Sequence, residues 1–305
     1  MGEAEPRDRL GDIERGLRLV PRLGEVMPGE ADAEVRAVYE GVRANLRVPF
    51  VNFVFRALAN YPSYLAFAWA RLEPSLLTSR FEEASDALRE RALLEPVPNA
   101  AGVDWGSLGD LRRMRGFTDT IHYALPKLLI VVSALDEGLA GEPGTAADGP
   151  SGAAVRPGVA EGTTVLPMVA TGEASGRLRE VLEEIKGRHG HPDVASYYRG
   201  TANWPPFLEA AWERVGPLVG KPAYAERKRE LLEGARNAAL ELVPLPTVEE
   251  ARWRGVSEEE IKEIQAVLAL FRFRIISDTF LEVPLVKAFL DGPEAARHSH
   301  FSFLR

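Results

Sequence analysis

The sequence predicts an all-α protein made of two copies of one helical unit, related by a pseudo-two-fold axis. Three observations carry this expectation. First, Val48 to Pro62 (VPFVNFVFRALANYP) and His191 to Pro205 (HPDVASYYRGTANWP) align without a gap at a spacing of 143 residues. Pro49 meets Pro192, Val51 meets Val194, Arg56 meets Arg199 and Trp69 meets Trp212. Aromatics exchange for aromatics at Tyr64 and Phe207 and at Phe81 and Tyr224. An ungapped match of this length marks a tandem duplication. Second, apolar residues recur at helical spacing, as in Val35, Val38, Tyr39 and Val42. Third, no stretch alternates with the two-residue period of a half-buried strand.

The elements follow in chain order. Residues 1–22 read as a leader or a short helix. The first repeat, 23–139, opens with the amphipathic stretch around Asp32 to Asn45. The second, 167–296, opens with Leu178, Val181, Leu182 and Ile185 in the same pattern. Pro49 and Pro192 stand where a helix would start, a place that tolerates proline. The helices that follow should stop before Pro62 and Pro205, because a residue before proline avoids the α region. A third helix in each copy carries Leu65, Trp69 and Leu72, or Leu208, Trp212 and Val215, and is bent or ended by Pro74 or Pro217. A fourth runs from Phe81 to Leu94, or from Tyr224 to Leu242. Beyond it Trp105 pairs with Trp253 at a spacing of 148 residues. Each repeat closes in a long apolar helix, Phe117 to Leu139 and Ile261 to Leu290. Residues 140–166 are rich in Gly, Ala and Pro and read as a surface linker. Residues 297–305 read as a loose tail. The repeat interface should form the main core and house any ligand.

Composition narrows the chemistry. The chain has 305 residues, 46% of them hydrophobic, and a net charge of −8, so nothing suggests a nucleic-acid surface. With no cysteine, disulfides, thiolate metal sites and thiol catalysis are excluded. The charged start has no apolar segment of the secretory kind, and no apolar run spans a bilayer, so the expectation is a cytoplasmic protein without membrane contact. Arginine far outnumbers lysine, as in proteins of GC-rich bacteria. There is no Gly-rich phosphate loop, nucleophile elbow or zinc-binding HExxH. His298 and His300 read as tail residues, His189 and His191 as loop residues and His122 as a packed histidine. The tryptophans read as core.

Several motifs occur together in order: RVPFVNF at Arg47 to Phe53, LRERALL at Leu88 to Leu94, Pro126-Lys127, VASYYRGTANWP at Val194 to Pro205 and LDGPEAA at Leu290 to Ala296. In these the chain resembles the group I 2-haloacid dehalogenases over almost its whole length. The resemblance implies an all-helical fold of two repeats of about 130 residues packed as an intrachain pseudo-dimer. It also implies hydrolysis of the carbon–halogen bond of short 2-haloacids of either hand. In that reaction an aspartate deprotonates a water that displaces halide directly, and an asparagine places the water. No metal or organic cofactor is implied. A small carboxylic acid is the implied ligand, and a homodimer the implied assembly.

Residue by residue, the resemblance preserves the frame and changes the polar groups. The family aspartate follows Ala-Ser; here Ala195 and Ser196 are followed by Tyr197. The family asparagine precedes Pro-Lys; here that residue is Leu125. A tyrosine after Pro-Lys is replaced by Leu128. A pocket tryptophan after Val-Pro is Phe50, a pocket alanine is Asn52, and a pocket phenylalanine is kept as Phe53. The expectation is a family member whose hydrolytic activity is lost or altered, the alternative being a small-acid-binding module or a helical scaffold. Asp193 is a candidate stand-in base: if Pro192 begins a helix, Asp193 shares a face with Tyr197. The competing reading makes it a first-turn acid favoured by the helix dipole. Arg272 is a candidate to hold a substrate carboxylate through its two-pronged fork, or else a surface arginine. Asn52 either meets the ligand or caps a helix.

Overall fold

A computed structural model describes residues 7–146 and 152–303. Among these the protein is all-helical, with thirteen α-helices and no strand. A single isolated bridge pairs Thr78 with Ala154.

The first half opens with α1 (Arg7–Leu23) and α2 (Ala33–Leu46). Asp32 caps α2, its carboxylate accepting the Val35 N–H at 2.8 Å. The apolar stripe Val35, Val38, Tyr39, Val42 and Leu46 is buried. Then come α3 (Phe53–Leu58), α4 (Pro62–Leu76) and α5 (Ser79–Ala92), followed by the long α6 (Leu111–Ala140). The second half contains α7 (Gly176–His189), α8 (Ser196–Thr201), α9 (Pro205–Val215) and α10 (Pro222–Leu242). It closes with α11 (Val248–Trp253), α12 (Glu258–Leu270), a π-helical turn Phe271–Ile276 and α13 (Ser277–Asp291).

Helices α2, α3, α4 and α5 begin 143 residues before α7, α8, α9 and α10. Both α2 and α7 end on a left-handed residue, Arg47 at φ 61° and Gly190 at φ 62°. Only the second uses the residue suited to that conformation. Proline opens α4 and α9, whose first turn leaves N–H groups unbonded in any case. The short helices α3 and α8 start four residues later than the sequence suggests. Val48 to Asn52 and His191 to Ala195 are extended approaches, and Pro49 and Pro192 lie outside any helix. The correspondence fails at one further place. Trp105 is buried in a 3₁₀ turn, whereas Trp253 is 88% exposed at the end of α11.

At the centre lie α6 and α13. From Phe117 to Leu139, and from Ser277 to Leu290, every residue is buried. A helix apolar on all sides is a core helix, but these two also bury charges, each with a partner. Lys127 meets Glu82 at 2.5 Å, Lys287 meets Asp119 at 2.5 Å, and Arg272 meets Asp136 and Glu137 at 2.7 and 2.6 Å. Removing one member of such a pair leaves a buried charge uncompensated.

The linker and the tail, expected to be loose, are packed, and the N-terminal segment takes the helical one of its two readings. The leader forms α1, with Ile13 and Val20 buried, Gly16 close against the Ala266 carbonyl on α12, and Arg9 within 3.0 Å of Asp136. Its residues 1–6 lie outside the described residues. In the linker, Val155, Gly158 and Ala160 donate backbone hydrogen bonds to Leu77, Ala44 and Arg47. Residues 147–151 are outside the description. In the tail, Phe301 is buried with its ring edge on Tyr123, the centroids 5.3 Å apart. Among the described residues no helix is long and apolar enough to cross a membrane.

Candidate active site

Where the two halves meet, five elements line a cavity of about 70 Å³. This is room for a few water molecules. Asn52, Phe53 and Val54 come from the start of α3, and Ala195, Ser196 and Tyr197 from the start of α8. Ile121, Leu125 and Leu128 come from α6, and Phe271, Ile275, Ile276 and Thr279 from the π turn and α13. The π turn matters here because its wider winding re-aims side chains relative to an α-helix. Phe271 and Ile275 face the cavity, while the intervening Arg272 turns to Asp136.

Tyr197 is fully buried and its hydroxyl pairs with the Thr118 hydroxyl at 3.1 Å. Its ring stacks on Phe117 with centroids 5.9 Å apart. That stacking depends on Gly200, where an added Cβ would fall 2.5 Å from the Phe117 ring. Burial pushes the Tyr197 phenol well above its usual range, so it stays protonated at neutral pH. Neither Arg199 nor Arg272 lowers it. Arg199 donates to the Val169 carbonyl at 3.1 Å, and Arg272 is held by Asp136 and Glu137.

The remaining candidates divide. Leu125, Leu128, Asn52, Phe53, Ala195 and Ser196 come together on the cavity wall with Tyr197. Asn52 occupies the N-cap position of α3 without making a side-chain cap bond, and its buried Oδ1 has no hydrogen-bond partner. Phe50 does not line the cavity; it packs half-buried against the core. Asp193 belongs to the loop before α8, not to its first turn. It therefore shares no helical face with Tyr197, and lines an outer vestibule instead. There its Oδ1 accepts from the Val194 N–H at 2.7 Å and the Thr171 hydroxyl at 3.2 Å. Arg272 is neither in this cavity nor on the surface. It is buried at the edge of a separate cleft of about 890 Å³.

Behind the wall lies a polar cluster that spacing did not reveal. His189 and His191, expected in a loop, are buried and stacked 4.7 Å apart. Glu282 takes His189 Nε2 at 2.5 Å, the Tyr198 hydroxyl at 2.6 Å and the Tyr224 hydroxyl at 2.9 Å. Asp278 takes His191 Nε2 at 3.0 Å and Lys228 Nζ at 2.6 Å. Burial pulls the His189 pKa down, but the Glu282 carboxylate outweighs this and raises it to about 9. Burial pushes Asp278 up, but Lys228 and His191 prevail and hold it at about 2. His122, by contrast, is a packed histidine, its Nε2 at 2.9 Å from the Ala296 carbonyl oxygen.

Comparison with known proteins assigns this fold. The family model described as "Halocarboxylic acid dehydrogenase DehI" matches residues 49–198, a span that includes α3 and reaches the first turn of α8. A configuration-inverting 2-haloacid dehalogenase of Alcaligenes xylosoxydans xylosoxydans is 32% identical over 294 residues, covering 92% of this chain and 97% of its own. The chain belongs to the DehI family of 2-haloacid dehalogenases. An (R)-2-haloacid dehalogenase of Pseudomonas putida is 30% identical over 260 residues, 80% of this chain and 85% of its own. Among solved structures, D-2-haloacid dehalogenase in complex with L-LA has a TM-score of 0.73 at 28% identity, covering 88% of this chain and 96% of that one. A mutant of D-2-haloacid dehalogenase in complex with D-2-CPA has a TM-score of 0.71 at 28% identity, covering 88% and 95%. The dehalogenase fold therefore runs through nearly the whole chain.

Proposed function

We propose that this dehalogenase-family protein has lost hydrolytic halide displacement at the inherited cleft, and that the cleft now holds a small organic acid without turning it over. One observation carries the reading. The residue at the place of the family's base is Tyr197, a phenol kept protonated by burial and tied to Thr118, in a cavity no carboxylate lines. Displacement of halide by water needs a base within hydrogen-bond reach of that water. A protonated phenol does not serve, and Leu125 presents carbon where the water would need a partner. Asp193 offers no replacement, because it lines the vestibule and is engaged by Val194, Thr171 and Arg199. The cleft itself, formed where two 143-residue-spaced copies of one helical unit face each other, is retained. The test is release of chloride from both enantiomers of 2-chloropropionate between pH 6 and 10. The reading expects none above background; enzymatic turnover that disappears in Asp193→Ala would replace it with a displaced-base hydrolase.

A further inference from the structure

We infer that the cleft binds a monocarboxylic acid end-on, its carboxylate at Lys186 in the vestibule and its apolar tail in the inner cavity. This names the ligand of the site proposed above and rests on that reading. The inner cavity supplies the first half of the argument: none of its lining residues carries a charge. A carboxylate placed there would lose its water and gain no cation, a large penalty. An aliphatic chain, in contrast, would meet Phe53, Leu125, Leu128 and Phe271.

The vestibule supplies the second half. It has a volume of about 520 Å³, and its charged residues are Glu25, Lys186, Asp193 and Arg199. Three of these are already engaged. Glu25 pairs with Arg56 at 2.6 Å, and Arg199 lies 3.9 Å from Asp193 while donating to Val169. The side-chain ammonium of Lys186, in the last turn of α7, has no carboxylate or hydrogen-bond partner among the described residues. The two chambers adjoin at Phe53, Ala195, Ser196 and Ile275, which line both. An unpaired ammonium outside and an uncharged chamber inside fix one orientation, head out and tail in. They also select against dicarboxylates, whose second charge would enter the apolar end.

The experiment is calorimetric titration of the full chain with straight-chain acids from propionate to octanoate, the matching primary amides, and succinate. Parent and Lys186→Met are compared, with thermal melts showing that both are folded. Affinity for the acids should climb about fourfold per methylene until the inner cavity is full, and succinate should bind more weakly than butanoate. The amides should bind on the order of tenfold more weakly than the acids. Lys186→Met should bring the acids down to the amides while leaving the amides unchanged. Acids and amides of equal affinity, an unchanged Lys186→Met, a flat chain-length series, or no binding at all would each overturn the assignment. Chloride release from 2-chloropropionate in the same samples would overturn the non-catalytic reading alone, and the Lys186→Met comparison would still judge the acid site.

Discussion

Replacing Glu282 by Gln isolates the charge at the centre of the buried cluster behind the cavity wall. With its oxygen at the place of Oε1 the amide still accepts from His189 and the Tyr224 hydroxyl, and its NH2 faces the Tyr198 hydroxyl, which turns from donor to acceptor, so the chief loss is the negative charge facing His189. That charge is what holds the His189 pKa at about 9 against an ordinary 6.5. At about 1.4 kcal/mol per pKa unit the difference is worth about 3 kcal/mol. It falls at the lower end of the cost of breaking a buried ion pair. A group whose folded pKa is raised stabilises fully below its unfolded pKa and loses the effect as pH rises through its folded value. The deficit of Glu282→Gln should therefore be at least about 3 kcal/mol below pH 6, where burial further disfavours the charged ring, about 1.4 kcal/mol at pH 8, and close to zero above pH 9.5. Urea denaturation of both proteins at each pH reads the stability, and the NMR titration of the His189 ring reads its pKa directly. A deficit that does not change with pH, or a His189 ring in Glu282→Gln that still titrates near pH 9, would refute the reasoning.

Other outcomes follow from the packing. Gly200→Ala should destabilise by about 1–3 kcal/mol in urea despite alanine's better helix propensity, because its Cβ meets the Phe117 ring. Phe301→Ala should cost about 3 kcal/mol by the same assay, since the ring is buried against Tyr123, whereas a loose tail would lose nothing measurable. Arg272→Met should cost about 3–5 kcal/mol by leaving Asp136 and Glu137 short of their shared cation. On the acid side, Asp278 stabilises above pH 3.8 and loses this as pH falls toward 2, so acid unfolding of Asp278→Asn should depend less on pH in that window.

Much of the fold was legible because several boundary residues recur at a spacing of 143 residues. Pro62 and Pro205 mark the same helix boundary, but the left-handed stops of α2 and α7 share no residue type, and Arg47 carries no signal of one. The short helices begin four residues after Pro49 and Pro192 because a proline is tolerated at a helix start without requiring one. Helix α1 has no equivalent in the repeat and many charges, so its packing on α12 left no clear signal. The cavity was half legible. Motif positions brought Asn52, Phe53, Leu125, Leu128, Ala195, Ser196 and Tyr197 to one wall. Phe271, Ile275, Ile276 and Thr279 were missed because the last helix is apolar on all faces and a π turn shifts its register. The buried ion pairs were not legible because their members are far apart in the chain, 136 residues for Arg272 and Asp136. A charge flanked by apolar residues at helical spacing looks the same whether it meets solvent or a distant partner.

We propose that the dehalogenase frame survives and that the loss of two polar groups, at Tyr197 and Leu125, removes the activity. Chloride release from (R)- and (S)-2-chloropropionate, measured for the parent beside the Tyr197→Asp, Leu125→Asn double variant, tests it most directly. A positioned general base contributes roughly 10²–10⁴-fold in rate. Background release is expected from the parent and release well above background from the double variant. Turnover by the parent equal to or above that of the double variant would contradict it.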